Sequence, residues 1–120
     1  MDDKIKDFRD LNIWEKAIEL IKKVYEASRG FPREELYALS SQMRRSAISI
    51  PSNVAEGFRR KHNKKFKQFL YIALGSCAEL ETQVEIAYEL NYVNKSGRND
   101  LLERIDHICR MTSNLIKKPK

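Results

Sequence analysis

Glycine and proline are scarce, 4 and 3 in 120 residues, which is too little turn material for a many-stranded β fold. Strand-like alternation of apolar and polar residues is absent throughout. No apolar run approaches the ~20 residues that a membrane-spanning helix requires. The opening MDDKIKDFRD is too charged for a secretory signal, so the expected compartment is the cytoplasm and no membrane role is expected. Two cysteines, Cys77 and Cys109, and two histidines, His62 and His107, make no recognisable zinc spacing. Both cysteines fall on apolar helical faces, where a core or free-thiol role outweighs a disulfide or a metal. A glycine-rich phosphate loop, an HExxH motif and a nucleophile with an evident base are all missing. So are the paired Glu-x-x-His motifs of bundle di-iron sites. The lone Asp106-His107 is the nearest approach to one, and His107 reads as a helix-surface residue. The expectation is no enzyme, no metal and no cofactor.

What is present is a mixture of 42% hydrophobic and 33% charged residues, the balance of a helical domain with a heavily charged exterior. At this length the chain forms one domain with one core. Residues 1–10 read as an arm with Phe8 as its anchor, and residues 11–118 as the domain. A first helix is expected to open near Asp10 or Asn12. Its apolar stripe is Leu11, Trp14, Ala17, Ile18, Ile21, Val24 and Tyr25. Gly30 stops it and Phe31-Pro32 makes the turn. A second helix is expected from near Arg33, with Glu34 and Glu35 in its positive first turn. Its stripe, Leu36, Leu39, Met43, Ala47, Ile50, Val54 and Phe58, keeps phase through Pro51. An interior proline loses a backbone hydrogen bond and costs ~3 kcal/mol. The unbroken phase nonetheless favours one helix kinked at Pro51 over two helices broken there.

The third helix is expected to be capped by Asn63 and to carry Phe66, Phe69, Leu70, Ala73, Leu74, Cys77, Leu80, Val84, Ala87 and Leu90 or Tyr88. Small residues at its middle, from Ala73 to Ala78, suit close contacts on more than one side. The fourth is expected from Arg98 or Asn99 to Lys117, with Leu101, Leu102, Ile105, Ile108, Cys109, Met111 or Thr112, Leu115 and Ile116 inward. Four amphipathic helices with short turns predict an all-α, antiparallel up-down-up-down bundle.

The net charge of +6 points to an acidic partner, nucleic acid first and anionic membrane second. Its distribution sharpens the point. Residues 56–69 carry +5 and residues 110–120 carry +4, leaving the remainder at −3. The bundle topology brings these two segments to one end. Arg59, Arg60, Lys61, Lys64, Lys65 and Lys67 would then join Lys117, Lys118 and Lys120 in attracting phosphates. Against this stands the plainer reading of lysine-rich turns as solvated ends. Phe66 and Phe69 fit the core stripe better than a base-stacking role. Antiparallel pairing sets Arg44 and Arg45 opposite Glu79 and Glu81, predicting an ion pair that fixes register, with Glu79 favoured. In a ring of subunits the two arginines would instead line its inner face. Glu56 is placed to neutralise Arg59 or Arg60.

The stretch SSQMRRSAISIPSNVAEGFRR, followed by FLYIALGSCAELETQ, resembles the bacterial four-helix-bundle proteins called 23S rRNA intervening-sequence proteins. The DLNIWEKAIEL opening and GFPREELYALSSQMRRSA resemble them too, so the likeness spans roughly Asp10 to Lys117. Members are often encoded inside insertions in the large-subunit ribosomal RNA gene, and no enzymatic activity is established for them. The sequence is also similar to the accessory variability protein of diversity-generating retroelements, a basic homopentameric bundle that binds nucleic acid and the reverse transcriptase. The resemblance implies a homopentamer with RNA or DNA as partner. The alternative expectation is a protein–protein scaffold that docks a partner through its basic end or the acidic 79–89 face.

Overall fold

The computed structural model describes residues 5–119. Residues 1–4 of the expected arm, and Lys120, lie outside the described residues. Four helices follow in order: α1 (Asn12–Arg29), α2 (Leu39–Arg59), α3 (Asn63–Glu89) and α4 (Lys95–Lys117). Each packs only on its neighbours around a square: α1 on α2 and α4, α2 on α3, α3 on α4. The backbones of diagonal pairs stay apart while their side chains share one core, as in an up-down-up-down bundle. The body measures 45 × 23 × 20 Å.

The expected stripes form the core, with shifts that have local causes. On α1 the buried line is Ile13, Ala17, Leu20, Val24 and Ser28, so Ile13 and Leu20 replace Trp14, Ile18 and Ile21 at its centre. Trp14 turns aside to pack on Phe8, ring centroids 5.5 Å apart. On α2, Met43, Ala47, Ile50, Val54 and Phe58 are buried as the stripe requires. The helix is one element through Pro51. Donors just past the proline bond back to the turn before it: Ser52 Oγ to the Ile48 carbonyl and Asn53 Nδ2 to the Ser49 carbonyl, each at 2.8 Å.

The expected start of α2 near Arg33 is corrected. Arg33–Glu35 is a 3-10 turn, and the helix begins at Leu39. Glu35 is the reason. Its carboxylate accepts from the Leu39 N–H at 3.3 Å and from the Tyr92 hydroxyl at 2.8 Å, capping the helix from outside it. Phe31 is buried in the same corner, 5.2 Å from the Tyr92 ring. Leu36, expected in the stripe, is therefore 45% exposed.

Two further boundaries move. The N-cap of α3 is His62, with extended backbone, and Asn63 is the first helical residue. The fourth helix starts at Lys95, ahead of the expected Arg98 or Asn99, because the Asn94 side chain accepts from the Gly97 N–H at 2.7 Å. Its buried line is Leu101, Ile105, Ile108 and Thr112. Thr112 satisfies its hydroxyl on the Ile108 carbonyl at 2.7 Å, so a polar residue fits the core.

Candidate nucleic-acid interface

The turn between α2 and α3 is three residues, Arg60, Lys61 and His62. Lys61 takes a left-handed backbone, φ 52, a conformation that costs a non-glycine residue roughly 1 kcal/mol. Gly57 makes so tight a turn possible. A Cβ there would lie 2.7 Å from Phe69 Cβ and 3.3 Å from the Phe66 carbonyl oxygen, so only glycine lets α2 touch α3 at this point. Phe58 and Phe66 then meet edge to face, centroids 6.1 Å apart, and close the core beneath the turn.

The bundle brings four helix ends together here: the N-termini of α1 and α3 and the C-termini of α2 and α4. A cavity of about 370 Å³ opens among them. Its apolar wall includes Leu11, Ile13, Phe58, Phe66, Met111 and Leu115. Asn12, Asn63, Asn114, Asp10, Lys67 and Lys118 supply its polar groups. Lys67 on α3 and Lys118 at the end of α4, more than fifty residues apart in the chain, thus share one cavity. The two charged segments meet as the topology demanded.

The remaining cations of the two segments sit on the same helix ends and the turn between them. Lys61, Lys64 and Lys65 are exposed on the turn and the first turn of α3, and Lys117 and Lys118 are exposed at the end of α4. Arg59 lies 5.2 Å over the Phe8 ring. Arg60 lies 5.4 Å over the Phe69 ring and 3.7 Å from Glu56, the expected i,i+4 neutralisation. Among the described residues no carboxylate pairs with Lys61, Lys64, Lys65, Lys67, Lys117 or Lys118. The first turn of α3 holds no acidic residue. Lys64 and Lys65 therefore face the positive end of a helix dipole, an arrangement that destabilises a helix by ~0.3–1 kcal/mol per charge. A fold selected for stability alone places acids there.

Phe66 is a core residue, 7% exposed, and Phe69 is half-buried under Arg60. The expected ion pair between Arg44 or Arg45 and Glu79 or Glu81 does not form. The register was right, since Ser49 and Ser76 hydrogen-bond across α2 and α3 at 2.7 Å. The azimuth differs. Arg44 turns to α1, where its Nε donates to Ser28 Oγ at 2.9 Å and its guanidinium lies 4.5 Å over the Tyr25 ring. Glu81 turns to α4 and lies 3.9 Å from Cys109 Sγ. Arg45 and Glu79 are exposed, and among the described residues neither has an ion pair.

Cys77 is buried on α3 and Cys109 half-buried on α4, both as free thiols. A hydrogen bond with Cys109, together with burial, pushes the Cys77 thiol up, and the same hydrogen bond holds Cys109 below its ordinary value. His107 is exposed beside Glu103, Arg104 and Arg110 in a shallow polar depression. Among the described residues no group of three or more His, Cys, Asp or Glu could hold a metal ion. No described helix is long and apolar enough to cross a membrane.

The model of the 23S rRNA-intervening sequence protein family matches residues 9–114. The chain belongs to that family. The fold of this intervening-sequence family member is similar to a crystal structure of a protein of unknown function from the S23 ribosomal protein family of Bacteroides thetaiotaomicron. The TM-score is 0.81 at 21% identity, over 88% of this chain and 99% of that one, so the likeness speaks to fold alone. No curated protein matches this chain.

Proposed function

We propose that this protein is a non-enzymatic, oligomeric bundle that holds RNA or DNA by its phosphates at the lysine-rich end. Lys61, Lys64, Lys65 and Lys67 lead, joined by Arg59, Arg60, Lys117 and Lys118. One observation carries the reading: Lys67 and Lys118, from two chain segments, line one cavity, Lys64 and Lys65 oppose a helix dipole, and among the described residues no carboxylate pairs with any of the four. Those lysines cost the fold stability and gain it back only when an anion arrives. Contacts of this kind position a nucleic acid without reading its bases. The family's name, 23S rRNA-intervening sequence protein, makes structured ribosomal RNA fragments the first ligands to try. The free thiols suit a cytoplasmic setting.

Assembly is the second half of the proposal. Tyr71, Ile72 and Ile48 are 61%, 51% and 42% exposed on α3 and α2. A Cβ at Gly75 would meet nothing within 4 Å. That outward face of large apolar and small residues suits packing against further copies of the chain. By its resemblance to the accessory variability protein, we propose a homopentameric ring. Light scattering of the purified protein at a mass of one bundle would exclude it.

Electrophoretic shifts with ribosomal RNA fragments, repeated across salt, test the binding. Reversing Lys64, Lys65 and Lys67 to Glu is expected to weaken the shift and its dependence on salt. The same apolar face also supports a rival reading, a protein–protein scaffold. Absence of any salt-sensitive affinity for nucleic acid, with one protein co-purifying stoichiometrically, would favour that rival.

A further inference from the structure

We infer that the cavity at the lysine-rich end receives one unpaired nucleobase, so the preferred ligand is single-stranded or bulged nucleic acid rather than duplex. This rests on the phosphate-binding reading above and goes beyond it by naming what enters the cavity.

Size comes first. About 370 Å³ lies near the lower bound of small-molecule pockets. It is room for a group the size of one nucleotide and not for a helix or a duplex. Chemistry comes second. Phe58, Met111 and Leu115 offer apolar surface to the faces of a flat ring, while Asn12 and Asn114 offer amide donors and acceptors to its edge. Single-stranded recognition combines these two demands, an apolar slot and edge-on hydrogen bonds. A hydrocarbon chain needs the first and gains nothing from the second.

Charge comes third. Among the described residues Lys67 and Lys118 line the cavity against a single carboxylate, Asp10, so its described lining is net positive. A base lodged between the walls keeps its own phosphate near these ammonium groups, and its neighbours run over Lys64 and Lys65 on the adjoining turn of α3. In a duplex the base edges are already paired. Such a ligand is left with the phosphate contacts alone.

Fluorescence polarisation of labelled oligonucleotides tests this with the intact protein. Three probes of equal phosphate number are compared: a single strand, the same strand with abasic positions, and a duplex. The intact strand is expected to bind about tenfold more tightly than the abasic strand, the loss typical of one base contact. Asn114→Trp, which fills the cavity mouth from an exposed position, is expected to bring the intact strand down to the abasic level and leave the duplex unchanged. Circular dichroism checks that variant, and the abasic comparison stands without it. Equal, salt-sensitive binding of the intact and abasic strands overturns the base-in-cavity inference and leaves the phosphate reading standing. No salt-sensitive binding of any probe overturns both.

Discussion

Gly57 and Gly75 are both helical glycines, and a Cβ separates them sharply. At Gly57 the added carbon meets Phe69 Cβ at 2.7 Å and Phe66 Cδ1 at 3.1 Å, neither of them the free end of a flexible chain. Gly57→Ala is expected to lower stability by roughly 1–2 kcal/mol, overpacking outweighing the gain in helix propensity. Gly75→Ala meets nothing in its own chain and is expected to raise stability by ~0.5–1 kcal/mol. Paired urea denaturation curves check both signs. The cysteines separate in a similar way. Cys77 is sealed in the core with its thiol pushed up, while Cys109 is half-buried and held below its ordinary value. Iodoacetamide on the native protein, read by peptide mass, is expected to label Cys109 and to reach Cys77 only after denaturation.

Among the elements, α3 carries the tension between stability and binding. Lys64 and Lys65 oppose its dipole, so Lys64→Glu with Lys65→Glu is expected to raise the melting temperature while weakening nucleic-acid affinity. A fall in both would mean that the lysines serve the fold. At the far end, α3 and α4 are tied by Arg98, whose Nε and Nη2 donate to the two Glu85 carboxylate oxygens at 2.7 and 2.9 Å. That hydrogen bonding holds the Glu85 carboxyl below its ordinary 4.5. A carboxyl lowered in the folded state binds protons more weakly there than in the unfolded chain. Its contribution is fully present above pH ~4.5 and is lost as pH falls through the lowered value. The gap in melting temperature between wild type and Glu85→Gln is therefore expected at neutral pH and should close in strong acid.

Across the whole molecule, periodicity was enough for four helices and their antiparallel order, because the Met43–Phe58 line buries as written and the Leu70–Ala87 line does so except at Leu74, which is only half-buried. Topology was enough to bring Lys67 to Lys118. What periodicity does not carry is azimuth. The stripe on α1 slipped because Phe8 draws Trp14 aside, and Arg44 chose Ser28 and Tyr25 on α1 over a carboxylate on α3. Caps supplied from a distance were also hidden. Glu35 reads as a first-turn helix residue until Tyr92, fifty-seven positions later, is seen to share it. The cavity left no local mark at all, since its walls come from every helix end at that pole. Asn12, Asn63 and Asn114 have nothing in common in the sequence except where the fold delivers them.

The charge at that pole has a quantitative consequence, because each neutralised phosphate releases counterions and steepens the salt dependence of binding. The decisive measurement is the slope of log K against log salt for a ribosomal RNA fragment, wild type against the variant with Lys64, Lys65 and Lys67 all changed to Glu. Each lost phosphate contact should flatten the slope by about 0.7–0.9, so the expected change for the variant is about 2 or more, with weaker binding throughout. An unchanged slope and affinity would contradict the placement of the nucleic acid at this end of the bundle.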